Sequence, residues 1–208
     1  MVSTFTWMDY SEQQRRHMLD TIELFREKGI LDEIGIGTVR DALSDLLFPG
    51  TSTIQTRARY FCFVPWLYLR LEDRRVRSSR IAERARSEEL GLARHLKQAG
   101  ERNGVFGLEA GDQLKRLPSA VYWQGLRKWG ILMFPGSQDQ YHRSLDRFYD
   151  ALDRSRHLIQ SDDGDPIDGR MPRNWHVELP SLPSDFPNGV SFALSREEAI
   201  YLRERLQV

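Results

Sequence analysis

Cysteine is almost missing from this chain of 208 residues: Cys62 stands alone, which excludes an internal disulfide and any zinc site built from several thiolates. Long apolar runs are missing too. No uncharged stretch approaches the length needed to cross a bilayer, so no membrane partner is expected. The opening residues, MVSTFTWMDYSEQQRR, lack a basic segment followed by an apolar core, so a signal peptide is not expected either. Together these absences predict an intracellular, cytoplasmic protein. An excess of one charge is also lacking. Thirty Lys and Arg balance thirty Asp and Glu, which weakens any reading based on bulk attraction to nucleic acid.

No complete catalytic or metal motif occurs, so no cofactor and no metal site is expected. His95-Leu-Lys97 begins like a His-x-Lys nuclease motif, but Arg102 stands where the aspartate is required. Asp162, Asp163, Asp165 and Asp168 match a calcium loop in composition only; their spacing and the missing terminal glutamate do not. His142 with Asp146, and Asp153 with His157, share helix faces and can hold a metal or move protons in principle. Without a third ligand they read as surface pairs. Cys62, inside an aromatic run, reads as a buried thiol.

What the chain does have is charge sorted along its length. From Arg57 to Arg102 twelve Lys and Arg face six Asp and Glu, whereas Ser161 to Val208 carries five against nine. A basic face on a neutral protein follows. Arginine dominates that face, and its planar fork suits phosphate and base edges as well as ion pairs.

Helical periodicity dominates the pattern. Ser11 and Gln14 form a capping box ahead of Met18, Leu19, Ile22 and Phe25, with Gly29 as the stop. Thr38 caps a second helix with Leu43, Leu46 and Leu47 on its inner face, ended by Pro49-Gly50. RARYFCFV then suits a strand or a buried helix kinked or ended near Pro65, and the helix is favoured. Helix, glycine turn and a helix opened by hydroxyl residues outline a helix-turn-helix, with Thr53, Gln55, Arg57 and Arg59 at its exposed start. An ordinary helical hairpin has the same outline. Arg74, Arg75, Arg77 and Arg80 precede a charged helix ending at Gly100 and are the best candidates for phosphate contact. Pro118 starts another helix and Gly130 stops it. If Ile131 to Phe134 forms a wing, Arg127 and Lys128 lie near a binding face, with Tyr122, Trp123 and Trp129 either beside them or in the core. Ser137 to Leu158 is amphipathic, with Tyr141, Leu145, Phe148 and Leu152 at helical spacing. An irregular, Asp-, Gly- and Pro-rich segment anchored by Trp175 and Phe186 follows, then a helix with a Ser195 and Glu198 capping box.

The expected fold is mainly α, with helix-turn-helix or winged-helix-like units and a few short strands. Three segments are expected: an N-terminal helical domain over 1–100, a winged-helix-like unit over 101–159, and a linker with a terminal helix over 160–208.

The stretches WMDYSEQQRR, GIGTVRDALSDLLFPGTSTIQTRARYFCFVPWLYLRLE and LKRLPSAVYWQGLRKWGI resemble an uncharacterised bacterial family defined only as a domain of unknown function. Its members are encoded beside helicases and other genes of anti-phage defence islands. The resemblance runs from Trp7 to about Ile131, with a weaker match at the final helix. It implies a bacterial defence setting, protein partners from a defence operon, and a longer protein of which these residues are an N-terminal fragment or short form. It supplies no catalytic residues. Two roles are therefore expected: a non-enzymatic subunit that associates with DNA or acts as an adaptor, or a protein-interaction module without DNA contact. Catalysis is the disfavoured third.

Overall fold

The computed structural model describes residues 43, 46, 47, 49–161 and 171–206. The chain divides into two compact units, Met1–Leu47 and Phe48–Val208. Of the first, only Leu43, Leu46 and Leu47 are described; they are helical and exposed rather than inward-facing. The helix expected between Ser11 and Gly29, the Thr38 cap and the Asp162 to Asp168 cluster lie outside the described residues.

The second unit is mainly helical. Its helices are α1 (Tyr60–Asp73), α2 (Ile81–Gln98), α3 (Pro118–Lys128), α4 (Gln138–Ser161) and α5 (Arg196–Leu206), with a 3-10 turn at Gly111–Gln113. α1 is the centre of the core. Every residue from Tyr60 to Tyr68 is buried, and Leu71 as well. A helix apolar on all sides has no solvent face to offer, so neighbours must surround it. α2 and α3 pack directly on it. Phe61 stacks on Trp129, just past the end of α3, with ring centroids 3.8 Å apart, and Tyr60 meets Tyr122 of α3 at 5.3 Å. Pro65 sits inside α1 without ending it, because burial of the flanking aromatics outweighs the one lost backbone bond.

α1 begins only at Tyr60, so Thr53, Gln55, Arg57 and Arg59 lie in turns before it and not on a recognition helix. The cause is a long-range contact. Buried Tyr122 accepts hydrogen bonds from the backbone N–H groups of Thr56 and Arg57 at 2.9 and 3.0 Å and donates to the Arg57 carbonyl. Those bonds hold the turn open. The expected wing is not formed among the described residues either; Leu132 makes a single antiparallel bridge to Trp175. Trp123 and Trp129 are core residues.

Three helices end the same way. At the ends of α2 and α3, Gly100 and Gly130 take the left-handed conformation, with Glu101 N–H on the Leu96 carbonyl and Ile131 N–H on that of Leu126. α1 closes likewise, with Val76 N–H on Leu71 and Arg75 N–H on Glu72, but its left-handed residue is Arg75, at φ 53°. Arginine in place of glycine costs about 1 kcal/mol or more there.

The irregular segment after residue 170 is tied to the same core. Glu72 accepts hydrogen bonds from Tyr141, from Asn174 at 3.1 Å and from Trp175 at 2.9 Å, while Trp66 donates to the Pro180 carbonyl at 2.8 Å. Burial raises the Glu72 carboxyl above its ordinary pKa, and these three donors pull it back. Ser195 and Glu198 make the expected capping box: Glu198 N–H donates to Ser195 Oγ at 3.1 Å and Ser195 N–H to Glu198 Oε2 at 2.9 Å.

Candidate nucleic-acid interface

The link between α1 and α2, residues 74–80, carries four of the nominated arginines. It is fastened to one face of α4. Arg75 forks onto Asp153 through two hydrogen bonds of 2.5 and 2.7 Å, and its guanidinium lies 5.8 Å from the Tyr149 ring centroid. Tyr149 donates to the Val76 carbonyl at 3.1 Å. Ser78 N–H donates to Asp146 at 3.1 Å, and Ser78 Oγ donates to the Arg143 carbonyl at 3.3 Å. Four α4 residues separated by about a helical turn thus grip the link.

The grip sorts the arginines. Arg74 is taken by Glu88 at 2.8 Å and Arg75 by Asp153. Arg77, Arg80 and Arg84 have no hydrogen-bonded or ion-paired side-chain partner among the described residues, and all three are exposed. Together with Arg75, Val76 and Ser79 they line a groove of about 620 Å³. Arg80 is also the N-cap of α2 and makes no side-chain cap bond, so the positive end of that helix opens beside the three free guanidiniums. Unpaired guanidiniums in a concave patch attract anions with several acceptor oxygens, phosphates above all.

A description of a family of unknown function, DUF6361, matches residues 2–208. The chain belongs to DUF6361. No curated protein matches it, and no solved structure does. Membership covers the whole DUF6361 chain from residue 2, beyond the segment in which the sequence resemblance was strongest.

The remaining nominated residues of this DUF6361 protein sit elsewhere. Arg59 is an internal strut, 14% exposed, bonded to Glu198 at 2.8 Å and to the Ser191 carbonyl at 2.8 Å. Arg57 donates to the Asn103 carbonyl at 3.1 Å and lies over the Phe192 ring. Gln55 closes its own turn by donating to the Gly50 carbonyl at 3.1 Å, and Thr53 is exposed beside it. That turn packs on the end of α3: Trp129 donates to the Pro49 carbonyl at 2.7 Å, and a Cβ at Gly50 would fall 2.8 Å from Lys128 Cβ. Arg127 and Lys128 line a smaller groove of about 280 Å³ there. The nominated residues therefore form two groups at opposite ends of α1, whose 14 residues span roughly 20 Å. Arg84 joins the first group without having been nominated. Its i, i+4 spacing from Arg80 was the available signal.

Three residues of the pairs considered for metal binding or proton transfer have partners elsewhere in the fold. His142 is held by Tyr68 at 3.0 Å, Asp146 by Ser78, and Asp153 by Arg75. Among the described residues no group of three His, Cys, Asp or Glu is placed to hold a metal ion. No helix among them is long and apolar enough to cross a membrane.

Proposed function

We propose that this chain is a non-enzymatic nucleic-acid-associating or adaptor subunit that docks phosphate in the groove of Arg77, Arg80 and Arg84. The observation that carries this reading is their lack of acidic partners beside neighbours, Arg74 and Arg75, that are neutralised. A folded protein with equal numbers of both charges has carboxylates to spare for surface arginines, and leaving three unpaired in one concavity favours an external anion. The anti-phage defence setting rests on the sequence resemblance, and so do partners encoded nearby. Docking here uses a helix–helix link, so it does not depend on a helix-turn-helix or a wing.

A second reading, a protein-interaction module, draws on a different surface. Glu178, Arg196, Glu197, Ile200, Tyr201 and Glu204 line a groove of about 600 Å³ along α5, with Ile200 38% exposed. Acidic residues around an apolar centre suit a basic protein segment.

Fluorescence anisotropy with labelled duplex and single-stranded DNA tests the first reading. The Arg77→Ala, Arg80→Ala and Arg84→Ala triple variant is expected to bind at least about tenfold more weakly at low salt, since each phosphate contact contributes to affinity. A folded wild-type sample that ignores both DNAs at low salt would sink that reading and leave the α5 groove as the place to look.

A further inference from the structure

Beside the groove of Arg77, Arg80 and Arg84 lies a second recess, of about 310 Å³, lined by Leu71, Arg74, Val76, Arg84, Ser87 and Glu88. Val76 and Arg84 line both, so the two share a wall. Their chemistry differs. The groove is lined by arginines, a valine and a serine, whereas the recess adds a carboxylate.

That carboxylate has an acceptor to spare. Glu88 stands one helical turn after Arg84 on α2, with its side chain 22% exposed. Arg74 donates to its Oε1 at 2.8 Å, while Arg70 lies 3.8 Å from Oε2, too far for a hydrogen bond. Among the described residues Oε2 accepts no hydrogen bond, and the exposed Ser87 hydroxyl makes none. The two arginines offset the charge of Glu88, so a polyanion is not driven from the recess.

A strand docked by its phosphates determines which donor meets Oε2. The sugar–phosphate backbone of DNA carries acceptors only. RNA adds one donor per nucleotide, the 2′-OH, and that hydroxyl accepts as well. Glu88 and Arg84 on the walls of one recess meet both needs: the hydroxyl donates to the carboxylate and accepts from the guanidinium. Amino groups of the bases can also donate to a carboxylate, but both kinds of strand carry them and they create no preference. A DNA strand that covers Glu88 removes solvent from it and returns no backbone donor, which is where discrimination arises.

We infer that the recess of Glu88 is a ribose site and that this chain prefers RNA to DNA. The inference rests on the phosphate reading of the neighbouring groove. Arg77, Arg80 and Arg84 hold the backbone of either strand, Glu88 Oε2 accepts from the ribose 2′-OH, and Leu71 and Val76 offer apolar contact to the carbon face of the sugar.

Fluorescence anisotropy of the full chain at low salt tests this with labelled single strands of one sequence built only from adenine and cytosine. The strands are made as RNA, as 2′-O-methyl RNA and as DNA. This set removes the thymine methyl from the comparison and isolates the hydroxyl hydrogen. Unmodified RNA is expected to bind about tenfold more tightly than the other two, the scale of one hydrogen bond to a charged acceptor. Glu88→Ala removes the acceptor, keeps a good helix former, and should bring the three affinities together. It also releases Arg74, but that raises all three alike and leaves their ratios unaffected. Equal wild-type affinities that fall together in the Arg77→Ala, Arg80→Ala, Arg84→Ala variant would overturn the ribose site and leave the phosphate groove standing. No wild-type binding to any strand would overturn both. A preference that survives Glu88→Ala, or that 2′-O-methyl RNA shares, would overturn the assignment to Glu88. If Glu88→Ala does not fold, the wild-type comparison of RNA with its 2′-O-methyl form decides alone.

Discussion

At the scale of single residues, the same side-chain type plays opposed roles according to its surroundings. Arg59 and Glu198 form a pair whose side chains are 14% and 5% exposed. Arg59→Ala strands that carboxylate, and chemical denaturation should show a loss of about 3 kcal/mol or more. Arg75 and Asp153 are each over two-fifths exposed, so their pair is worth under about 1 kcal/mol. Arg75→Gly also relieves the left-handed backbone, a gain of similar size. Its stability should stay within about 1 kcal/mol of wild type in the same assay. Cys62 is fully buried, and burial pushes its thiol up to about 12. A thiol reagent should label nothing in the native protein and one group after denaturation. Glu89 gives the residue-scale pH dependence. Its folded pKa is raised, from 4.5 to about 7, so the folded state holds the proton more tightly. The stability this contributes is complete below about pH 4.5 and is lost as pH rises through 7, on the order of 3 kcal/mol in all. Glu89→Gln should flatten the curve of melting temperature against pH across that window.

At the scale of elements, the parts written locally were legible. Ser195 with Glu198, Pro118 as a helix start, Gly100 and Gly130 as stops, and the stripe through Tyr141 and Leu145 all depend on residues a few positions apart. What was not legible depends on distance. Nothing near Thr56 announces that Tyr122, 66 residues on, will hold its backbone out of helix. Likewise the α1 aromatics fit a strand or a helix until α2 and α3 close around them. The arginine cluster was visible as composition, but which arginines are free was not, because Glu88 and Asp153 come from other helices. Close approach between elements is also hidden in the sequence. α3 meets the Pro49-Gly50 turn and α1 at Gly125, where an added Cβ would run into the Gly50 carbonyl and come within 2.8 Å of Phe61. Gly125→Ala would gain about 1 kcal/mol of helix propensity and lose 1–3 to overpacking, so thermal melting should show net destabilisation.

At the scale of the whole molecule, neutrality conceals sorting. The basic segment supplies the α1–α2 groove and the acidic one supplies α5, so charge of both signs is available to partners although the sum is zero. Binding that uses the first should respond to salt far more than the net charge suggests. The slope of log affinity against log salt for duplex DNA is the most direct measurement, taken on wild type and on the Arg77→Ala, Arg80→Ala, Arg84→Ala variant. Three phosphate contacts contribute about 2.7 to its magnitude, and the variant should lose roughly that amount while remaining folded. An unchanged slope, or no wild-type binding at low salt, would contradict the assignment of this groove to phosphate.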